Sequence, residues 1–187
     1  MQHGFRIRAW IERSDDMKRL IAIILLLASA ASWATATVGQ AAPVFSLTDQ
    51  NGKTRTSDEF HGKWLVLYFY PKAGTPGCTE EACSFRDDIV VLRALGAEVV
   101  GISTDDVSAI RAFTAQHQLP FTLLADTDGK ISEAYGALTN LGIAKYAKRY
   151  TYLIDPSWKI VKFYKDVDTQ TYAKTIAADL RGMVGKP

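Results

Sequence analysis

Both cysteines of the chain fall in one stretch, Pro71-Lys72-Ala73-Gly74-Thr75-Pro76-Gly77-Cys78-Thr79-Glu80-Glu81-Ala82-Cys83. Thr75 followed by Pro76 reads as a helix N-cap with proline at the first helical position, which sets Cys78 in the first turn. The backbone N–H groups there have no partner within the helix. Together with the positive end of the helix dipole they favour a thiolate at Cys78 over a thiol, and the thiolate is the nucleophilic form. Glu80 and Glu81 share that turn and oppose the ionisation, so a cation is expected nearby.

The second cysteine lies five positions on. On a helix the two Cα atoms would stand about 8 to 9 Å apart, beyond the roughly 7 Å that a disulfide spans. The pair can therefore join only if the first turns unwind, which favours a switching disulfide over a structural one. Other readings are open at this point. Two cysteines in an exported domain could form a structural bridge. A pair at this spacing with no further cysteine lacks the usual zinc pattern, so no metal is expected, and His61 and His117 read as surface residues. A protein thiol-disulfide oxidoreductase would be expected to carry Cys-x-x-Cys, which this chain does not. A non-catalytic, partner-binding domain of the same fold is a further alternative.

The elements that must hold this stretch follow from hydrophobic pattern. Trp64 to Tyr70 is a continuous apolar, aromatic and β-branched run, as expected of a buried central strand. A helical pattern runs from 76 to about Leu95, with Ile89, Leu92 and Leu95 facing inward. Upstream, Val38 to Leu47 and Thr54 to Thr56 read as short extended segments about an Asp49–Gly52 turn, and Ser57 to Phe60 as one helical turn. Downstream, Val99 to Ser103 is a strand, and Asp105-Asp106 caps a helix running to about His117. Phe121 to Ala125 is a strand, Ile131 to Tyr135 a short helix, and 136–148 a loop. Arg149 to Ile154 and Lys159 to Tyr164 form a hairpin, and Thr169 to Met183 a closing helix. Alternating strands and helices that end in a hairpin give an α/β fold in three layers, with a mixed central sheet and helices on both faces. A cysteine at the first helical turn after a central strand suits a thioredoxin-like arrangement. Tyr68, Phe69 and Tyr70 read as core and pocket wall, and Trp64 and Trp158 as packing residues. No haem, flavin or nucleotide fingerprint appears, so no cofactor is expected.

The front of the chain reads differently. Leu20 to Leu27 is an unbroken apolar run preceded by Lys18-Arg19 and followed by small residues, with Ala34-x-Ala36 as a cleavage site. Met17 to Ala36 thus has the plan of a secretory signal peptide, within a leader of residues 1–36 ahead of a domain of residues 37–187. The expectation is an exported protein, periplasmic or secreted, without stable membrane association after cleavage. The alternative is a membrane anchor formed by residues 20–36, although the apolar run is short for a span. Of 22 basic and 20 acidic residues, 17 of each remain beyond residue 36. That neutral balance, without a basic run, gives no support to nucleic-acid binding.

The motif Pro71-x-x-x-Thr75-x-x-Cys78, the opening Gly39-x-x-Ala42-Pro43-x-Phe45, and Arg149 heading a strand together resemble a peroxiredoxin. The second cysteine five positions after the first resembles the Q-type branch, the bacterioferritin comigratory proteins. The resemblance runs from about Val38 to the end of the chain. It implies a thiol-dependent peroxidase acting on hydrogen peroxide and organic hydroperoxides. In it Cys78 would be the peroxidatic and Cys83 the resolving cysteine, with Thr75 and Arg149 positioning peroxide and Pro71 shielding the site. Arg149 would then be the cation that offsets Glu80 and Glu81. The resemblance further implies an intramolecular disulfide and a thioredoxin-like dithiol reductant, and resolution within one chain fits a monomer. An exported copy departs from the usual cytosolic setting of this branch and puts the cytosolic thioredoxin system out of reach.

Overall fold

The computed structural model describes residues 36–165 and 168–184. The leader and its cleavage site up to Thr35 lie outside the described residues. Ser46–Asp49 (β1) and Thr54–Thr56 (β2) form the opening hairpin, and Ser57–Phe60 a single 3-10 turn. Trp64–Phe69 (β3) leads to helices Pro76–Asp87 (α1) and Ile89–Ala94 (α2). Ala97–Ser103 (β4), Val107–His117 (α3), Thr122–Ala125 (β5) and Lys130–Ala134 (α4) follow. Leu138–Asn140 (β6) and Lys145–Ala147 (β7) make a small hairpin of their own. Tyr150–Ile154 (β8), Ile160–Tyr164 (β9) and Tyr172–Met183 (α5) complete the domain.

The main sheet has the order β2-β1-β5-β4-β3-β8-β9. The centre β5-β4-β3 is parallel, while β8 joins β3 and β9 joins β8 antiparallel. The continuous apolar run of β3 is explained by alternation between two filled faces. Val66, Tyr68 and Tyr70 point into a core shared with Ala82 and Phe85 of α1, Leu92 of α2, Phe113 of α3 and Ile176 of α5. Leu65, Leu67 and Phe69 point into a second core with Phe45, Phe60, Tyr135, Tyr152 and Trp158. Helices therefore flank the sheet unequally, four on the first side and the short α4 on the second, in a thioredoxin-like α/β architecture.

Three features differ from the sequence expectation. The helix drawn from 76 to 95 is broken at Asp88, whose φ and ψ of −99° and 7° end α1, and a second short helix then turns Ile89 and Leu92 inward. The segment 136–148, read as a loop, contains β6 and β7, closed by Asn140 Oδ1 accepting from the Gly142 N–H at 3.0 Å. Its strands are three residues each, too short for a period of two to show. The closing helix begins at Tyr172 rather than at Thr169, because Asp168 and Thr171 bond to each other in a turn ahead of it.

Close packing behind the site is tightest at Gly101 of β4. A Cβ there would come within 2.6 Å of both Leu123 Cδ2 and Tyr68 Cζ, which are core side chains. Gly101→Ala is expected to destabilise the domain by about 1–3 kcal/mol through overpacking, read as a lowered urea midpoint. An unchanged midpoint would mean that the sheet yields there freely.

Candidate active site

β3 ends at Phe69, and the loop from Pro71 to Thr75 carries the chain into α1. Gly74 has φ of +76°, a conformation that its lack of a Cβ makes available without strain. The Ala73 N–H donates to Asp105 Oδ2 at 2.7 Å, and the same oxygen accepts from the Ser103 hydroxyl at 2.9 Å, so the end of β4 braces the loop. The Asp105-Asp106 pair thus divides its work, since Asp106 caps α3 by accepting from the Ala109 N–H.

Thr75 occupies the N-cap position in extended conformation, with Pro76 at the first helical position as expected. Its side chain does not cap the helix, however. The hydroxyl donates instead to the Lys72 carbonyl at 3.0 Å. The Gly77 and Cys78 N–H groups are therefore left uncapped by Thr75. The threonine oxygen, its own proton engaged, presents lone pairs.

Cys78 sits in this first turn, 1% exposed, as a free thiol. Arg149 approaches from the residue just before β8. The antiparallel register pairs Phe69 with Tyr150, so the start of β8 lies beside the end of β3. Arg149 Nη2 lies 3.4 Å from Cys78 Sγ, and Nη1 donates to the Gly77 carbonyl at 3.3 Å and to Glu81 Oε2. The cation expected near the two glutamates is in place, in contact with the sulfur. The contact brings a positive charge directly against that sulfur.

The two glutamates have separate fates. Glu80 points outward to Thr169 and Gln170, whose hydrogen bonds hold its carboxyl below the usual range. Glu81 is fully buried and paired with Arg149. Burial pushes its carboxyl up to about 7, against the opposing pull of Arg149. Its second oxygen, Oε1, has no hydrogen-bond partner among the described residues, nor do the nearby hydroxyls of Tyr68, Thr151 and Tyr172. Burial also raises Tyr68 and Tyr70 well above the usual phenol range, so both stay neutral and wall the site without charge. For Arg149, burial lowers the basicity but the neighbouring Glu81 and Cys78 outweigh it, and the net direction is upward.

Cys83 is a free, half-buried thiol on the same helix. Five positions apart on an intact α1, the two cysteines stand on turns that helix geometry keeps too far apart for a bond. Pro71 lines a cleft of about 370 Å³ together with Lys72, Thr104, Asp105, Ala144, Lys145 and Tyr146. Thr75, Cys78 and Arg149 thus converge on the start of α1, Pro71 opens the loop leading there, and Cys83 stands apart. Sequence reasoning missed Asp105 as the brace of the loop, although an acidic doublet where a cap needs one acid was a signal. It paired Arg149 with both Glu80 and Glu81, whereas in the structure Arg149 bonds to Glu81 and Glu80 turns outward to Thr169 and Gln170. Among the described residues no group of three or more His, Cys, Asp or Glu could hold a metal ion.

The sheet order and the helix layers place the molecule among the thioredoxin-like proteins. The chain belongs to the AhpC/TSA family, which it matches over residues 38–163. It is 45% identical over 128 residues to peroxiredoxin Q, chloroplastic, of Populus jackii, covering 68% of this chain and 60% of that protein. The chain therefore spans only about three fifths of the chloroplastic relative's length. A Coxiella burnetii protein named for peroxiredoxin bcp is 39% identical over 149 residues, covering 76% of this chain and 97% of that one. Among solved structures, peroxidoxin BcpB from Mycobacterium tuberculosis is similar at a TM-score of 0.75 and 32% identity, covering 79% of this chain and 98% of the other.

The titration of Glu81 has a sign that can be measured. Its folded value of about 7 lies above the ordinary 4.5, so between those values the folded chain binds more protons than the unfolded one. The stability that a protonated Glu81 contributes is full below pH 4.5 and is lost as pH rises to 7. Relative to Glu81→Gln, the wild-type protein should lose on the order of 3 kcal/mol across that window, measured by urea unfolding at several pH values. Parallel pH profiles for the two proteins would contradict a raised carboxyl.

Proposed function

We propose that the chain is a thiol peroxidase that reduces hydrogen peroxide and organic hydroperoxides, with Cys78 as the peroxidatic cysteine. The observation that carries this reading is the guanidinium of Arg149 lying 3.4 Å from Cys78 Sγ at the first turn of a helix. The names of the relatives point the same way.

In this mechanism the Cys78 thiolate attacks one oxygen of the peroxide, the O–O bond breaks, and the second oxygen leaves with the electron pair as alkoxide or hydroxide. Arg149 and the uncapped N–H of Cys78 stabilise the charge that develops on the departing oxygen. Thr75, whose proton is engaged by the Lys72 carbonyl, accepts a hydrogen bond from the peroxide O–H and orients it. Glu81 holds Arg149 in reach, and Pro71 shields the reacting sulfur. The sulfenic acid at Cys78 then condenses with the Cys83 thiol to give a disulfide and water, which requires α1 to open. An external dithiol of thioredoxin type reduces the disulfide by exchange.

The same reading makes the enzyme an atypical two-cysteine peroxidase that works as a monomer, since one chain holds both cysteines. The apolar run and small-residue site of residues 17–36 support export to the periplasm or beyond, where a thioredoxin-like reductant of that compartment would serve it. Among the described residues no helix is long and apolar enough to cross a membrane.

Cys78→Ser is expected to abolish peroxide consumption. Cys83→Ser should still consume one equivalent, stop at the sulfenic acid, and fail to turn over with a dithiol. Mass spectrometry of the wild-type protein after one equivalent should show Cys78 and Cys83 joined. Full turnover by Cys78→Ser would end the proposal.

A further inference from the structure

Once Cys78 carries a sulfenic acid, the next event in the proposed reaction is the opening of α1, and the residues that resist that opening control it. Two residues of α1 that flank Cys83 are tied to the chain ahead of α5. Glu80 and Ser84 stand four apart and so on one helical face. The Glu80 carboxylate accepts from the Thr169 hydroxyl and, at 2.8 Å, from Gln170 Nε2. The Ser84 hydroxyl lies 3.5 Å from the Gln170 carbonyl and accepts from the Ala173 N–H at 3.4 Å. That N–H belongs to the first turn of α5 and has no partner within the helix, so Ser84 caps α5 while α5 holds Ser84. Asp168 shapes the segment by accepting from the Gln170 N–H and the Thr171 hydroxyl. None of these bonds reaches Cys78 or Arg149.

We propose that residues 168–173 are a strap that positions Cys83. By holding the 80–84 stretch of α1 in helical form, it slows the approach of the Cys83 thiol to Cys78. The inference rests on the peroxidase reading above. It concerns the partition of the sulfenic acid between two fates. In one, the Cys83 thiol attacks the Cys78 sulfur, an S–S bond forms, and the hydroxyl leaves as water with the thiol proton. In the other, a second peroxide oxidises the sulfenic acid to the sulfinic acid, its O–O bond breaking to give the alcohol or water. The longer the strap keeps α1 closed, the larger the sulfinic share at high peroxide. Thr169, Gln170 and Ser84 are positioning residues, because they act through Cys83 and touch no reacting atom.

The test uses the full chain with Thr169→Ala combined with Gln170→Ala, and separately Ser84→Ala. Three quantities are read: the rate of the first peroxide reaction, the rate of disulfide formation in rapid-quench samples, and the sulfinic fraction by mass spectrometry under excess peroxide. The first should not change. Disulfide formation should rise about tenfold in the double variant, the scale of losing bonds to a charged group near the surface, and about threefold in Ser84→Ala, and the sulfinic fraction should fall. Disulfide rates that are unchanged or slower in both variants overturn the strap. If the double variant does not fold, Ser84→Ala decides. If the wild-type protein forms no sulfenic acid at Cys78, the peroxidase reading fails on its own. The strap is then judged by hydrogen exchange of the α1 amides, which should quicken in the variants and refutes it if it does not.

Discussion

A guanidinium can serve a sulfur only if something else keeps it from turning toward water, and in this protein that something is Glu81. The carboxylate is three residues past Cys78 on the same helix, so the group that fixes the cation moves with the group that uses it. Arg149 in turn reaches the Gly77 carbonyl, which ties the guanidinium to the first turn at three points. Burial of Glu81 gives the pair its character. A carboxyl out of water holds its charge only against resistance, and an ionised partner in contact with the sulfur is what keeps the balance. Breaking the pair would leave a buried charge without compensation, which costs far more than a surface ion pair contributes.

The scaffold around this pair is correspondingly rigid. β3 is covered on both faces, and Tyr68 packs its ring against Tyr70 at 5.5 Å and against Phe85 of α1 at 4.9 Å between centroids. Asp105 braces the loop from the next strand. α1 itself is held from outside, where Glu80 and Ser84, on the face that also carries Cys83, bond to Thr169, Gln170 and Ala173. The helix break at Asp88 separates that element from α2, so its opening need not disturb the inward-facing Ile89 and Leu92.

Much of this was legible in the sequence, for identifiable reasons. The central strand, the helix start at Pro76 and the placement of Cys78 follow from a long apolar run and a threonine-proline pair, signals that tertiary packing rarely overrides. Arg149 was expected through charge balance as a cation near the glutamates, and its guanidinium contacts both Glu81 and Cys78. The break at Asp88 was not legible, because nothing in Arg86-Asp87-Asp88 forbids helix; packing of two short segments against the sheet decides it. The β6-β7 hairpin was missed because its strands are too short to show alternation. The expected offset of Glu81 by Arg149 is seen as a direct pair, whereas the burial of Glu81 was not legible, because charge spacing along a helix does not say which acid faces the core.

The antiparallel attachment of β8 has one more effect. It brings the first residue of a late strand to the point where an early strand finishes, so sulfur and guanidinium meet across 71 positions of chain. Until the sheet has closed through that pairing, Cys78 has no guanidinium beside it. The contact between sulfur and guanidinium is thus a property of the finished molecule, which a chain still emerging from synthesis does not yet have.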